Sequence, residues 1–105
     1  MDSPYLVNFE GNLINATHYM KILSNQHRLK VMCRIVHAPH TVSELVELTG
    51  ISQPALSLHL AKLREEKMVE AKRDGKQVFY RIANHQLAAL VEHICYQFKC
   101  WENIT

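Results

Sequence analysis

Near Lys67 the spacing of apolar residues changes from every third or fourth position to every second, and this change constrains the fold more than any other feature. Ahead of it, Leu56, Leu60 and Leu63 fall on one face of a helix. Beyond it, Met68-Val69-Glu70-Ala71 and Gln77-Val78-Phe79-Tyr80-Arg81-Ile82 read as short strands, with Lys72-Arg73-Asp74-Gly75-Lys76 as the turn between them. Asp74-Gly75 is a strong hairpin signal, because both central positions of a tight hairpin turn favour positive φ.

The remaining segments are helical. Residues 1–11 form a lead-in broken by Pro4 and Gly11, and residues 12–105 form the domain. A first helix runs from Asn12 to about Ser24, carrying Leu13, Ala16, Met20 and Leu23 at helical spacing. Asn25 caps a second, from about Gln26 to Val36, with Leu29, Met32, Cys33 and Val36 as its apolar stripe; Pro39 ends it. Thr41 or Ser43 caps a third, Val42 to Leu48, with Leu45 and Leu48 facing inward. Gly50 supplies the positive φ of the following turn. Ser52 caps the fourth helix, which has Pro54 in its first turn and extends to about Lys67. After the hairpin, Asn84 caps a last helix with Leu87, Leu90, Val91, Ile94 and Phe98 on one face and Trp101 close to it. The expected class is mainly α with a small β-hairpin: a winged helix-turn-helix in the order α-α-α-α-β-β-α.

A chain of 105 residues fits one domain with a thin core, to which a dimer interface would add apolar burial. A net charge of +2 decides little, so a nucleic-acid footprint must come from local clustering. No apolar run is long enough to span a membrane, and the first residues lack the basic start and apolar core of a secretory signal. The expected compartment is the cytoplasm, where Cys33, Cys95 and Cys100 rest as thiols; an odd count also argues against a disulfide framework. No Gly-rich phosphate loop or nucleophile–base–orienter group is visible, so no enzyme, cofactor or resident metal is expected.

With Leu56, Leu60 and Leu63 inward, the outer face of the fourth helix carries Pro54, Leu58, Ala61, Lys62 and Glu65. Gln53 suits adenine, Ser57 several base edges, and Leu58 a thymine methyl. Leu58 reads equally as a tolerated surface leucine. His59 lies at the edge of the stripe, where packing is its first role and phosphate contact its second. Lys62, with Lys72, Arg73 and Lys76 around the hairpin tip, is placed to meet phosphates. These cations argue against a winged helix that binds only proteins, and the hairpin argues against a generic small α+β domain.

Gln26-His27-Arg28-Leu29-Lys30-Val31-Met32-Cys33, Ser43-Glu44-Leu45, Ser52-Gln53-Pro54-Ala55-Leu56-Ser57-Leu58-His59-Leu60 and Asp74-Gly75-Lys76-Gln77-Val78-Phe79-Tyr80 together resemble the ArsR-type winged-helix repressors, over about residues 13–100. The resemblance implies a homodimer joined by the first and last helices. It also implies repression by binding double-stranded operator DNA, with release on sensing. A thiolate pair beside the third helix is absent, since no Cys lies between Val42 and Ser52. His85 and His93 stand about 80° apart around the last helix with no Asp between them, a weak zinc pattern. Cys33 together with a Cys near the end of the last helix resembles the branch of the family that senses reactive sulfur or oxidants through a thiol pair. In that branch the second thiol directly follows an aromatic; here Lys99 separates Phe98 from Cys100, and Cys95 lies one turn earlier on the same face. Both are candidate partners for Cys33, with Cys100 expected first. Core packing is the other reading of Cys33 and Cys95. Three thiols also suit As(III) or another thiophilic ion, and Zn(II) is the less expected alternative ligand.

Overall fold

The computed structural model describes residues 9–100. Its elements are α1 (Phe9–Leu23), α2 (Gln26–Ile35), α3 (Val42–Thr49), α4 (Gln53–Glu65), β1 (Val69–Asp74), β2 (Gln77–Ile82) and α5 (His85–Phe98), the winged helix-turn-helix order. None of its helices is long and apolar enough to cross a membrane.

Side-chain caps set most helix starts. Asn25 accepts from the Arg28 N–H at α2, and Ser52 from the Ala55 N–H at α4. At α3 it is Thr41, rather than Ser43, that caps, and Glu44 returns a bond to the Thr41 N–H in a reciprocal capping box. The helix-turn-helix turn is closed by Gly50 at φ 73, where a side chain would be strained. Thr49 is buried beside it, donating to the Leu45 carbonyl and accepting from the Ile51 N–H.

The core gathers Val31 and Met32 of α2, Leu45 of α3, Leu56, Leu60 and Leu63 of α4, Met68, and Leu87, Val91 and Cys95 of α5. Each large apolar side chain buried there contributes about 1.5–3 kcal/mol. Because the α4 stripe is buried as expected, its other face is held outward.

Several expectations are corrected. Helix α1 starts at Phe9 rather than Asn12 and runs through Gly11, which does not break it. Only its C-terminal end packs: Ile22 and Leu23 are buried, whereas Leu13, Ile14, Ala16 and Met20 are exposed. Leu48 is exposed rather than inward, because the core face of α3 is taken by buried Leu45 and Thr49, one turn apart, with Val42 and Val46 partly buried beside them. On α5 the buried stripe is Leu87, Val91 and Cys95; Leu90 and Ile94 are half-buried and Phe98 is exposed. Trp101 lies outside the described residues.

Helix α4 stops at Glu65, short of Lys67. The Lys67 N–H donates to the Arg64 carbonyl and the Met68 N–H to the Leu63 carbonyl, with Lys67 at φ 59. This is a Schellman closure with lysine in the left-handed position usually held by glycine. In the hairpin, β2 has the expected bounds but β1 runs from Val69 to Asp74 rather than from Met68 to Ala71; Asp74 pairs with Gln77, and the two-residue loop is Gly75-Lys76 rather than Asp74-Gly75. Only Gly75 has positive φ there. An isolated bridge between His40 and Tyr80 adds a third short stretch beside β2.

Candidate nucleic-acid interface and thiol cluster

The outer face of α4 presents Gln53, Pro54, Ser57, Leu58, Ala61 and Glu65 to solvent, with Leu58 73% exposed. Arg73 and Lys76 are exposed on the hairpin, with Lys76 in its loop. Lys62 is differently placed. Its Nζ lies 3.2 Å from Glu66, which also takes His18 Nε2 of α1 at 2.6 Å. The Lys62 hydrogen bond comes first among the causes holding the Glu66 carboxyl below its ordinary range. The cluster ties α1 to the end of α4. His59 is half-buried, its ring stacked on His27 of α2 at 5.6 Å between centroids. Burial first, then Arg28 and His27, lower its pKa below the ordinary 6.5. This environment fits packing, the first of its two expected roles.

Cys33 of α2 and Cys95 of α5 are joined by a disulfide with Cα atoms 6.2 Å apart, within the usual range for such a bridge. The pairing differs from the expected preference for Cys100, and the bridge itself departs from the expectation of resting thiols. Cys33 and Cys95 are 4% and 0% exposed, while Cys100 is half-buried and free. All three sulfurs lie within 4.8 Å of one another, the one such grouping of three or more His, Cys, Asp or Glu ligand atoms among the described residues. His85 and His93 are exposed on α5 and gather no further ligands.

The backbone at the end of α5 explains the grouping. Lys99 adopts φ 54, its N–H donates to the Tyr96 carbonyl, and the Cys100 N–H reaches back to the Cys95 carbonyl at 2.9 Å. A closure of this kind lays the residue after the turn over the last helical turn. Cys100 thereby comes to Cys95 although it is not on the helix face. Without a glycine at 99, the sequence carries no turn signal for it. Beside the cluster, Gln26, Leu29, Lys30, Cys33, Arg34, Leu48, Phe98 and Cys100 line a cavity of about 500 Å³. Arg34 donates there to the Leu48 carbonyl at the end of α3.

Residues 25–71 match the family described as "Bacterial regulatory protein, arsR family". The biofilm growth-associated repressor of Xylella fastidiosa is 43% identical over 72 residues, which are 69% of this chain and 63% of that protein, so the chain spans under two-thirds of its length. The transcriptional activator HlyU of Vibrio cholerae is 31% identical over 98 residues, 93% of this chain and 90% of that one. The crystal structure of the transcriptional repressor BigR from Xylella fastidiosa superposes with a TM-score of 0.81 at 36% identity, covering 90% of this chain and 94% of that one. The expectation of a non-enzymatic regulator agrees with these matches. By sequence and by fold, the chain belongs to the arsR family of bacterial regulatory proteins.

Proposed function

We propose that this protein is a cytoplasmic homodimeric repressor that binds double-stranded operator DNA and is released when Cys33 and a cysteine of α5 react with reactive sulfur species or an oxidant. Gln53, Ser57 and Leu58 read bases, and Arg73 and Lys76 hold phosphates. Lys62 and His59 assist at the margin: the Glu66 pair and the His27 stack hold them beside the reading face. The two protomers meet through α1 and α5, where Leu13, Ile14, Met20, Tyr96 and Phe98 are each exposed and available to a second copy. The sign of regulation follows the more identical relative, which is named a repressor.

The observation that carries the switch is the Cys33–Cys95 bridge from α2 to α5. Helix α2 packs on α4 as well as on α5. A covalent link between α2 and α5 therefore couples the dimer helix to the reading helix and resets the distance between the two α4 copies. Half-sites about one DNA turn apart, roughly 34–36 Å, tolerate little such change.

Mass spectrometry after persulfide or peroxide treatment, paired with a mobility-shift assay, tests this. Treatment should lower operator affinity at least about tenfold, or about 1.4 kcal/mol. Cys33→Ser should bind the operator and ignore the treatment; release of Cys33→Ser as readily as the parent would falsify the thiol switch. The three clustered sulfurs favour a second reading, capture of a thiophilic ion such as As(III), which three thiolates satisfy, whereas tetrahedral Zn(II) needs a fourth ligand. Release by arsenite but not by persulfide or peroxide would select it.

A further inference from the structure

The bridged sulfurs are the two that solvent reaches least. Cys95 is 0% and Cys33 4% exposed, whereas free Cys100 is half-buried and shares its cavity with Lys30 and Arg34. A small reactant in that cavity meets Cys33 and Cys100 at its wall, but Cys95 is not part of the lining. Of the two thiols at the wall Cys100 is the more exposed, and a reactant that stays in the cavity can oxidise Cys95 only through another sulfur. The sulfur of Cys100 lies within 4.8 Å of both others. Short thiol exchanges can therefore carry the oxidation inward without unfolding.

We infer that Cys100 is the capture thiol of a three-sulfur relay, and that the cavity beside it takes small anionic sulfane-sulfur donors. The inference rests on the thiol-switch reading above. The Cys100 thiolate attacks the terminal sulfur of a hydropersulfide R–S–SH. The donor's S–S bond breaks, its electron pair leaves with the thiolate R–S⁻, and Cys100 becomes a persulfide. The Cys33 thiolate then attacks Cys100 Sγ, expelling HS⁻ and forming a Cys33–Cys100 disulfide. Finally the Cys95 thiolate attacks Cys33 Sγ and expels the Cys100 thiolate. The products are the Cys33–Cys95 bridge and a free Cys100, the arrangement observed. Two thiolates lose two electrons in total, and R–S–SH gains them as R–S⁻ and HS⁻; no other oxidant enters.

The class of donor follows from the cavity lining. Lys30 and Arg34 are its two charged residues, both cationic. They attract a donor whose R group carries carboxylates, or an inorganic polysulfide anion. A volume of about 500 Å³ suits such small molecules rather than a protein donor.

The test follows thiol capture and bridge formation by quenched intact-mass spectrometry on the reduced full chain. The donors are glutathione persulfide, inorganic polysulfide and an uncharged dialkyl trisulfide. The parent should pass through a Cys100 adduct before the Cys33–Cys95 bridge. Cys100→Ser, with Cys100→Ala as a second variant, should not form the bridge while the parent completes it. Lys30→Gln should slow capture from an anionic donor roughly tenfold and leave the trisulfide rate alone. Sensitivity confined to one anionic donor supports the cavity and identifies the source. Bridge formation in both Cys100 variants at the parental rate, or equal slowing of charged and uncharged donors in Lys30→Gln, overturns the relay or the cavity's selectivity respectively. Operator affinity is read separately. If the bridge forms through Cys100 yet affinity is unchanged, the relay stands and the repressor switch falls. If Cys100 variants bridge and release DNA like the parent, the switch stands and the relay falls.

Discussion

Replacing Asn84 tests how α5 is anchored. Its Oδ1 accepts the Leu87 N–H at 2.8 Å, capping α5, and its Nδ2 donates to the Tyr19 hydroxyl of α1 at 3.1 Å. Loss of a helix cap costs about 1 kcal/mol, and loss of a part-buried neutral hydrogen bond about 1 kcal/mol more. Asn84→Ala should therefore lose about 2 kcal/mol, close to the sum because the two bonds use different atoms. Asn84→Ser keeps a capping oxygen and gives up the donor to Tyr19, and Tyr19→Phe removes the same cross-helix bond from the other side; each should lose about 1 kcal/mol. Urea unfolding at one fixed protomer concentration measures this, since the midpoint of a dimer depends on concentration. With a slope of about 1.5 kcal/mol per molar, the midpoint of Asn84→Ala should fall by a little over about 1 M. If Asn84→Ser falls as far as Asn84→Ala, the cap contributes nothing. If Tyr19→Phe is neutral, the link between α1 and α5 has been misjudged.

Three further outcomes are expected. Gln53→Ala should relax preference at one base position by about 1–3 kcal/mol, while Lys76→Ala should weaken all sequences alike and lower the salt slope by about one; binding of every operator variant by Gln53→Ala as by the parent would remove Gln53 from the reading face. Ile14→Glu combined with Phe98→Glu should sediment as monomer, because both side chains are exposed on the helices proposed to join the protomers; an intact dimer at micromolar concentration would place the interface elsewhere. His59 has its pKa lowered by burial, Arg28 and His27. The unfolded chain therefore binds its proton at higher pH than the folded one, and the stability His59 contributes is present above 6.5 and lost as pH falls from there toward the folded value. His59→Gln should flatten that part of the stability–pH curve, and an unchanged slope would count against the assignment.

What the sequence revealed depended on whether the signal was local. The caps Asn25, Ser52 and Asn84, the αL Gly50 and the buried Leu56–Leu60–Leu63 stripe each follow from residues within one or two turns, and each is found as read. The hairpin was legible but its centre was not: Asp74 pairs with Gln77, so the extended register moved the loop forward by one residue. Apolar spacing identified α1 as a helix but did not reveal that most of its stripe is exposed within the protomer, since periodicity does not say what covers a face. The outer face of α4 was legible because it is the complement of the core face. The partner of Lys62 went unread although it was local, since Glu66 stands four residues on; the second contact of Glu66, His18, lies far away in sequence. Cys95 was legible as a partner for Cys33 but ranked second to Cys100, and the sequence did not show that all three thiols meet, because Cys100 reaches the cluster through the left-handed turn at Lys99 and a lysine gives no sign of that conformation.

The bridge between His40 and Tyr80 ties the wing to the entrance of α3 through two backbone bonds, of 3.1 and 2.8 Å. At its other root, the Met68 N–H fastens the start of the wing to the Leu63 carbonyl of α4. The hairpin is therefore clamped at both ends to the helices that carry the reading face, like a tine welded to the head of a fork rather than hinged to it. In the proposed complex a protein of this build should approach and leave the duplex as one rigid body. Its phosphate and base contacts should then be made and broken together, with no intermediate in which the wing alone keeps its grip. A small change in the angle of α4 is then enough to lift the hairpin as well.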